Sequence, residues 1–382
     1  MALKLITNIR RSIRSEVNAF GGPQVLAPLR KQVALLLILG GVVQPDSVLA
    51  LSGTTTQPAE AGTAPAPRWH METKPGRRIE VVTTSTTSSA GFRADRWTTV
   101  VAIPPELPSQ RDVSTEVKPD GKILRETSPH KREFVWVESH PKTSEEKKRF
   151  RFTVTYRATL QQRKLVAVPE GAIPNEPEPL TPEEKKIYLL PTEFYDFNER
   201  EFQRWLKKTD LHQKDNESAV DFAKRVFLLL YNDFKYDAEG ASDRASVVCR
   251  TGKSHCGGLS SIFVATMRAN GIPARWLLGC WADGGSHVMA EFFAEGIGWI
   301  PADPSNSIFH FPGNAETALE KGFGVSDGNF FTTQVDHGWE YESDMTGKLA
   351  MPWPYGAMGE GKGSTSKWRT EGTWDVRDLA TD

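Results

Sequence analysis

Cysteine is scarce in this chain: its 382 residues hold three, Cys249, Cys256 and Cys280. So few exclude a fold stapled by disulfides, and an odd number leaves at least one thiol free unless it pairs between chains. An excess of one charge is also missing. With 47 Lys and Arg against 48 Asp and Glu, nucleic-acid binding through a strongly basic surface is not expected. Long apolar sequence is confined to Val33–Val43, too short to cross a bilayer as a helix, which argues against an integral membrane protein. No internal repeat is visible.

What is present begins with an address. Lys4, Arg10, Arg11, Arg14, Arg30 and Lys31 precede the apolar run, and Pro45 and Val48-Leu49-Ala50 follow it. A basic segment, an apolar segment and a small-residue site read as a secretory signal over 1–50, cut after Ala50. That segment carries six basic and two acidic side chains, so the remaining 332 residues are acidic at about −5. The expected location is exported: periplasm, cell envelope or secreted, with no stable membrane insertion after cleavage. There Cys249 and Cys280 can pair and leave Cys256 free; the spacing does not decide it.

The length suits two domains. Residues 51–75, rich in Thr, Ala, Pro and Gly, read as a flexible linker. Over 76–170 short β-type runs alternate with turns. The strict alternation from Arg149 to Tyr156 implies one buried and one wet face, hence a small antiparallel β-sandwich. No chemical motif stands out in it. After the Pro/Glu-rich stretch Pro169–Glu184 comes a second domain over 185–345. Asp196-Phe197-Asn198-Glu199 fits a capping box, and Val220, Ala223, Phe227 and Leu230 fall on one helical face. Residues 346–382 form a Gly/Trp/Ser-rich tail whose Trp353, Trp368 and Trp374 are expected to pin it to the domain surface.

The chemistry concentrates between Arg250 and Ser305. His255-Cys256-Gly257-Gly258-Leu259-Ser260 opens a helix with Leu259, Ile262, Phe263 and Met267 at helical spacing, stopped by Asn270-Gly271 and Pro273. Cys256 therefore sits at a helix N-terminus, where unpaired N–H groups and the helix dipole favour a thiolate. Gly257 and Gly258 are expected to leave room for a substrate backbone. Ala274–Trp281, His287–Phe293 and Trp299–Asp303 read as a three-strand meander that places His287 and Asp303 on neighbouring strands, facing the Cys256 helix. A thiol nucleophile needs a base, and the base needs an acceptor to fix its tautomer; Cys256, His287 and Asp303 supply the three roles. The backbone N–H of Cys256 and the side chain of Tyr236 are candidates for stabilising an oxyanion. Taken alone, Cys256 reads as a buried core thiol. His255, next to it in sequence, is expected to play only a local role. Cys249, His255, Cys256 and His287 lack the paired spacing of zinc sites, so no metal is assigned.

The runs H-C-G-G-L-S, G-I-P-A-R, S-H-V-M-A-E-F and G-W-I-P-A-D-P, in this order over residues 220–310, resemble the transglutaminase-like superfamily. The resemblance implies an α+β papain-like core, a Cys-bearing helix on an antiparallel sheet, here preceded by the β-sandwich. It implies Cys256 as nucleophile, His287 as general base and acid, and Asp303 as orienter. Family members often carry an aromatic residue where this chain has Met289, which bears on the pocket wall. No calcium-loop spacing is present. The function so implied is a cysteine-dependent peptidase, amidase or acyltransferase acting on protein or peptide amides through a thioester, hydrolysis ahead of cross-linking, with no cofactor. The alternative is a non-catalytic envelope binding or scaffold protein on the same fold.

Overall fold

The computed structural model describes residues 69–169, 177–239, 241–343, 347–351, 356–364 and 368–380. The expected signal over 1–50 and the linker up to residue 68 lie outside the described residues. The first strand, β1 (Trp69–Ser89), already begins inside the segment expected as linker. Its opening residues pair with Gln161–Ala167, while Trp69 and Met71 pack against the core of the second domain. The composition of this stretch hides a strand whose partner lies some ninety residues on.

β2 (Phe92–Ala102), β3 (Gln110–Lys118), β4 (Lys122–Arg125), β5 (Glu133–Ser139) and β6 (Arg149–Ala167) follow. β6 lies between β1 and β3 in one antiparallel sheet, and β2, β5 and β4 form a second. The alternation read in the sequence is what closes the sandwich. Phe150, Phe152, Val154, Tyr156, Ala158 and Leu160 of β6 all point inward, onto Ile79, Val81, Trp97, Val101 and Val137. At roughly 1.5–3 kcal/mol for each large apolar side chain buried, that face outweighs any single polar contact of the sandwich.

Beyond α1 (Pro182–Ile187), α2 (Arg200–Thr209) and α3 (Ala219–Asp233) come the short β7 (Lys235–Tyr236), α4 (Ala245–Thr251) and β8 (Lys253–Ser254). Then α5 (Cys256–Ala269) runs buried from Cys256 to Arg268, with Gly271 at φ 75° just past its end. One side of α5 meets α3, which buries Val220, Ala223, Phe227 and Leu230 as the spacing predicts. The other side meets a sheet in the order β11 (Gly298–Ala302), β10 (Ser286–Ala294), β9 (Ala274–Trp281), with β13 (Phe330–Val335) on the far edge. The expected meander is present. α6 (Pro304–His310), α7 (Ala315–Gly322) and β12 (Val325–Asp327) fill the connection.

Two local expectations are corrected. The capping box does not form: α2 starts at Arg200 behind Glu199, whose side chain makes no cap bond. Asp196 instead accepts from the backbone N–H of Ser246 at 2.8 Å, in a buried bond, and from the half-exposed Arg244 side chain, so its carboxylate caps α4 and not its own helix. The C-terminal stretch is also more than a surface tail. After the hairpin β14 (Trp339–Ser343) and β15 (Gly347–Met351), β16 (Ala357–Gly363) pairs with β2, and β17 (Trp368–Asp378) pairs with β1 along its length. Both sheets of the sandwich are thus completed by residues that follow the core. Trp353 lies outside the described residues.

Candidate active site

Cys256 is the first residue of α5. His255 precedes it in extended backbone as the cap, its Nδ1 accepting from the Gly257 N–H at 3.1 Å. His287 stands near the start of β10, opposite Gly279 of β9. Val288, Ala290, Phe292 and Ala294 are the positions of β10 in the core built around α5. His287 is therefore out of phase with them, and it meets the thiol beside the first turn of α5, not from the helix-facing side of the sheet. Asp303 follows β11 and caps α6.

The imidazole and carboxylate are joined by a 2.7 Å bond from His287 Nε2 to Asp303 Oδ2. Asp303 Oδ1 accepts from Asn306 N and from Ser305 Oγ, each at 2.9 Å, so both oxygens are engaged and the carboxylate cannot turn. With Nε2 committed to Asp303, Nδ1 is the nitrogen left for the Cys256 thiol, with which the ring is hydrogen-bonded. The Trp281 ring stacks on the imidazole at 4.9 Å, and Phe330 meets it edge-on at 5.9 Å. The ring is thereby fixed in plane and position.

Electrostatics follow from this packing. Burial pushes the Cys256 thiol up, but hydrogen bonds from His255 and His287 and the positive charge of His287 bring it down to about 6. Burial works against a charged His287; the adjoining Asp303 carboxylate overrides it and lifts the imidazole to about 10. Burial also raises Asp303, yet the His287 charge and the bonds from Asn306 and Ser305 hold it below the ordinary carboxylate range. At neutral pH the arrangement is a thiolate beside an imidazolium, as in an activated thiol nucleophile.

His255 does more than its expected local role. Besides capping α5, it hydrogen-bonds the thiol and lies 3.6 Å from Asp243 Oδ1. Asp243 carries no sequence signal, because only the fold brings it to the start of α5. The glycines also serve differently from the expectation. A Cβ on Gly257 would sit 2.2 Å from Asp243 Oδ1, and one on Gly258 would sit 2.2 Å from the Ser242 carbonyl oxygen. The space beside them is filled by the protein's own loop, not left for a substrate. Met289 is buried with Leu107, Leu277, Phe330 and Val335, so it belongs to a core cluster and forms no open pocket wall. Tyr236 lies on β7, paired with Ser254 two residues before Cys256, its ring against Phe309. Cys249 and Cys280 are both unpaired, one against the helical core and the other in the sandwich core.

Residues 207–304 match the model of the transglutaminase-like superfamily. They are a transglutaminase-like core. Among solved structures, a candidate cysteine protease from Cytophaga hutchinsonii is 15% identical, over 82% of this chain and 94% of that one, with a TM-score of 0.48. The periplasmic domain of TgpA from Pseudomonas aeruginosa is 14% identical, over 64% of this chain and 92% of that one, with a TM-score of 0.33. No curated protein matches the chain. The matched segment spans α3 to α5, the meander and the site from Cys256 to Asp303.

Proposed function

We propose that this chain is an exported cysteine-dependent acyl-transfer enzyme acting on amide bonds of proteins or peptides. The observation that carries the reading is one chain of contacts: a thiol at a helix N-terminus, bonded to an imidazole whose other nitrogen is bonded to a fixed carboxylate. In this reading the Cys256 thiolate attacks the amide carbonyl. The His287 imidazolium gives its proton to the departing amine, and the thioester so formed is cleaved by water after His287, now neutral, takes a proton from it. Asp303 keeps the ring oriented throughout. The Cys256 N–H and the Tyr236 hydroxyl are the donors proposed for the oxyanion. Water as acceptor is favoured over an amine because water needs no dedicated pocket. Export rests on the N-terminal sequence pattern. Among the described residues no helix is long and apolar enough to cross a membrane.

The test is the pH dependence of Cys256 alkylation by iodoacetamide, followed by peptide mass spectrometry in wild type and His287→Ala. Rapid labelling with a midpoint near 6, lost in the variant, is the expected result. An ordinary thiol profile in both proteins would remove the enzyme reading and leave a binding or scaffold protein.

A further inference from the structure

A groove of about 440 Å³ lies between β7 and α6, lined by Tyr231, Phe234, Tyr236, Ile308, Phe309 and Pro312, with exposed Lys235 beside them. Both walls start from the site just described. α6 begins at the Asp303 cap and carries Ile308 and Phe309. β7 packs on α6 and pairs with Lys253–Ser254, immediately ahead of His255 and Cys256. The Tyr236 and Phe309 rings meet edge to face at 5.1 Å.

Phe309 is 58% exposed, and of the large apolar side chains that are exposed among the described residues it alone lies on the transglutaminase-like core. Nothing in the fold needs it there: its neighbours on α6, Pro304, Ser305 and Ser307, provide the buried face. The groove is also preformed. The Tyr231 hydroxyl donates to the Phe311 carbonyl and accepts from the Asn314 N–H at 2.8 Å, which ties the loop after α6 to α3. A preformed site loses little to ordering when it is filled.

Phe309 is six positions past Asp303, about 9 Å along α6 at ~1.5 Å per residue. We propose that the groove is a substrate subsite for an aromatic or bulky apolar side chain of the peptide whose amide Cys256 attacks. The inference rests on the acyl-transfer reading and names the class of peptide that its site prefers. Lys235 and Asn232 give the lining a polar edge, and the ring pair of Tyr236 and Phe309 favours an aromatic side chain against its apolar part.

The test uses the full chain and chloroacetyl-(Gly)n-phenethylamides with zero to three glycines, against the matching ethylamides. These probes carry the ring at a graded distance from the alkylated sulfur, whichever way the peptide runs. At one spacer length the ring is expected to speed Cys256 alkylation about ten-fold. Phe309→Ala removes that advantage and Phe309→Asp reverses it, while plain iodoacetamide labels all three proteins equally. No ring advantage at any spacer, or one that survives Phe309→Ala, overturns the proposal. The iodoacetamide pH profile reads the thiol alone. An ordinary thiol with an intact ring preference would therefore sink the acyl-transfer reading and spare the groove.

Discussion

The Cys256 thiol and the His287 imidazole titrate on opposite sides of neutrality, near 6 and near 10. The nucleophile is lost as pH falls through the lower value, and the leaving-group acid is lost as pH rises through the upper. Amide turnover is expected to follow a bell with those two limbs, checked by a pH–rate profile. In Asp303→Asn the imidazole loses the charge that raises it and the acceptor that fixes its tautomer. Turnover should fall by about 10³-fold or more, and the thiol midpoint should move up. At this scale much was legible in the sequence. Cys256, His287 and Asp303 lie within 48 positions, and each carries a local signature: helix start, strand, strand end. Asp243, Trp281 and the second contact of His255 were not legible, because their places depend on how the loop before α4, β9 and the start of α5 meet in space.

Among the elements, α5 shows how tightly the chain is fitted around the site. Its boundaries follow from Asn270-Gly271 and the apolar spacing, and the sequence predicts them well. Its two glycines depart from the expectation, because a glycine beside a reactive thiol reads the same whether it makes room for a ligand or for the protein itself. The backbone carbonyl of Ser242 leaves Gly258 no space, whereas Gly257 faces the ends of side chains, those of Asp243, His255 and Trp276. Gly258→Ala should therefore cost about 1–3 kcal/mol in stability and more than Gly257→Ala, as measured by denaturant unfolding. Asp196 is a similar case. A carboxylate three residues ahead of a glutamate fits a capping box, but donors from α4, fifty positions away, were out of view of any local pattern.

Across the whole molecule, the sandwich and the core are joined through buried ions. Arg132, paired with Glu126, donates to the carbonyls of Val335, Asp336 and Gly338, and Arg268 pairs with Asp336 at 2.7 Å. His130 and His337 lie in this junction, facing Asp336, Arg132, Arg268 and, for His130, Glu126. Burial, which penalises charge, takes His130 to about 4 and His337 to about 3 against the pull of Asp336. In the unfolded chain both take up a proton near 6.5. Stability present at neutral pH is therefore lost as pH falls from 6.5 towards 4, on the order of 3 kcal/mol from His130 alone. Thermal unfolding at stepped pH values should show this slope, and His130→Gln should flatten it. No spacing rule in the sequence announces such a junction, since its members come from the two separate bodies it joins.

The closing strands of the sandwich have one more consequence. Ser89 at the end of β1 pairs with Trp368 at the start of β17, so the entire transglutaminase-like core is spliced between partners of one sheet. During synthesis β1 and β2 emerge with open edges that stay open until the whole core has passed through the ribosome. An open edge is a template for pairing with other chains. A chain of this design gains from being kept unfolded until it is complete.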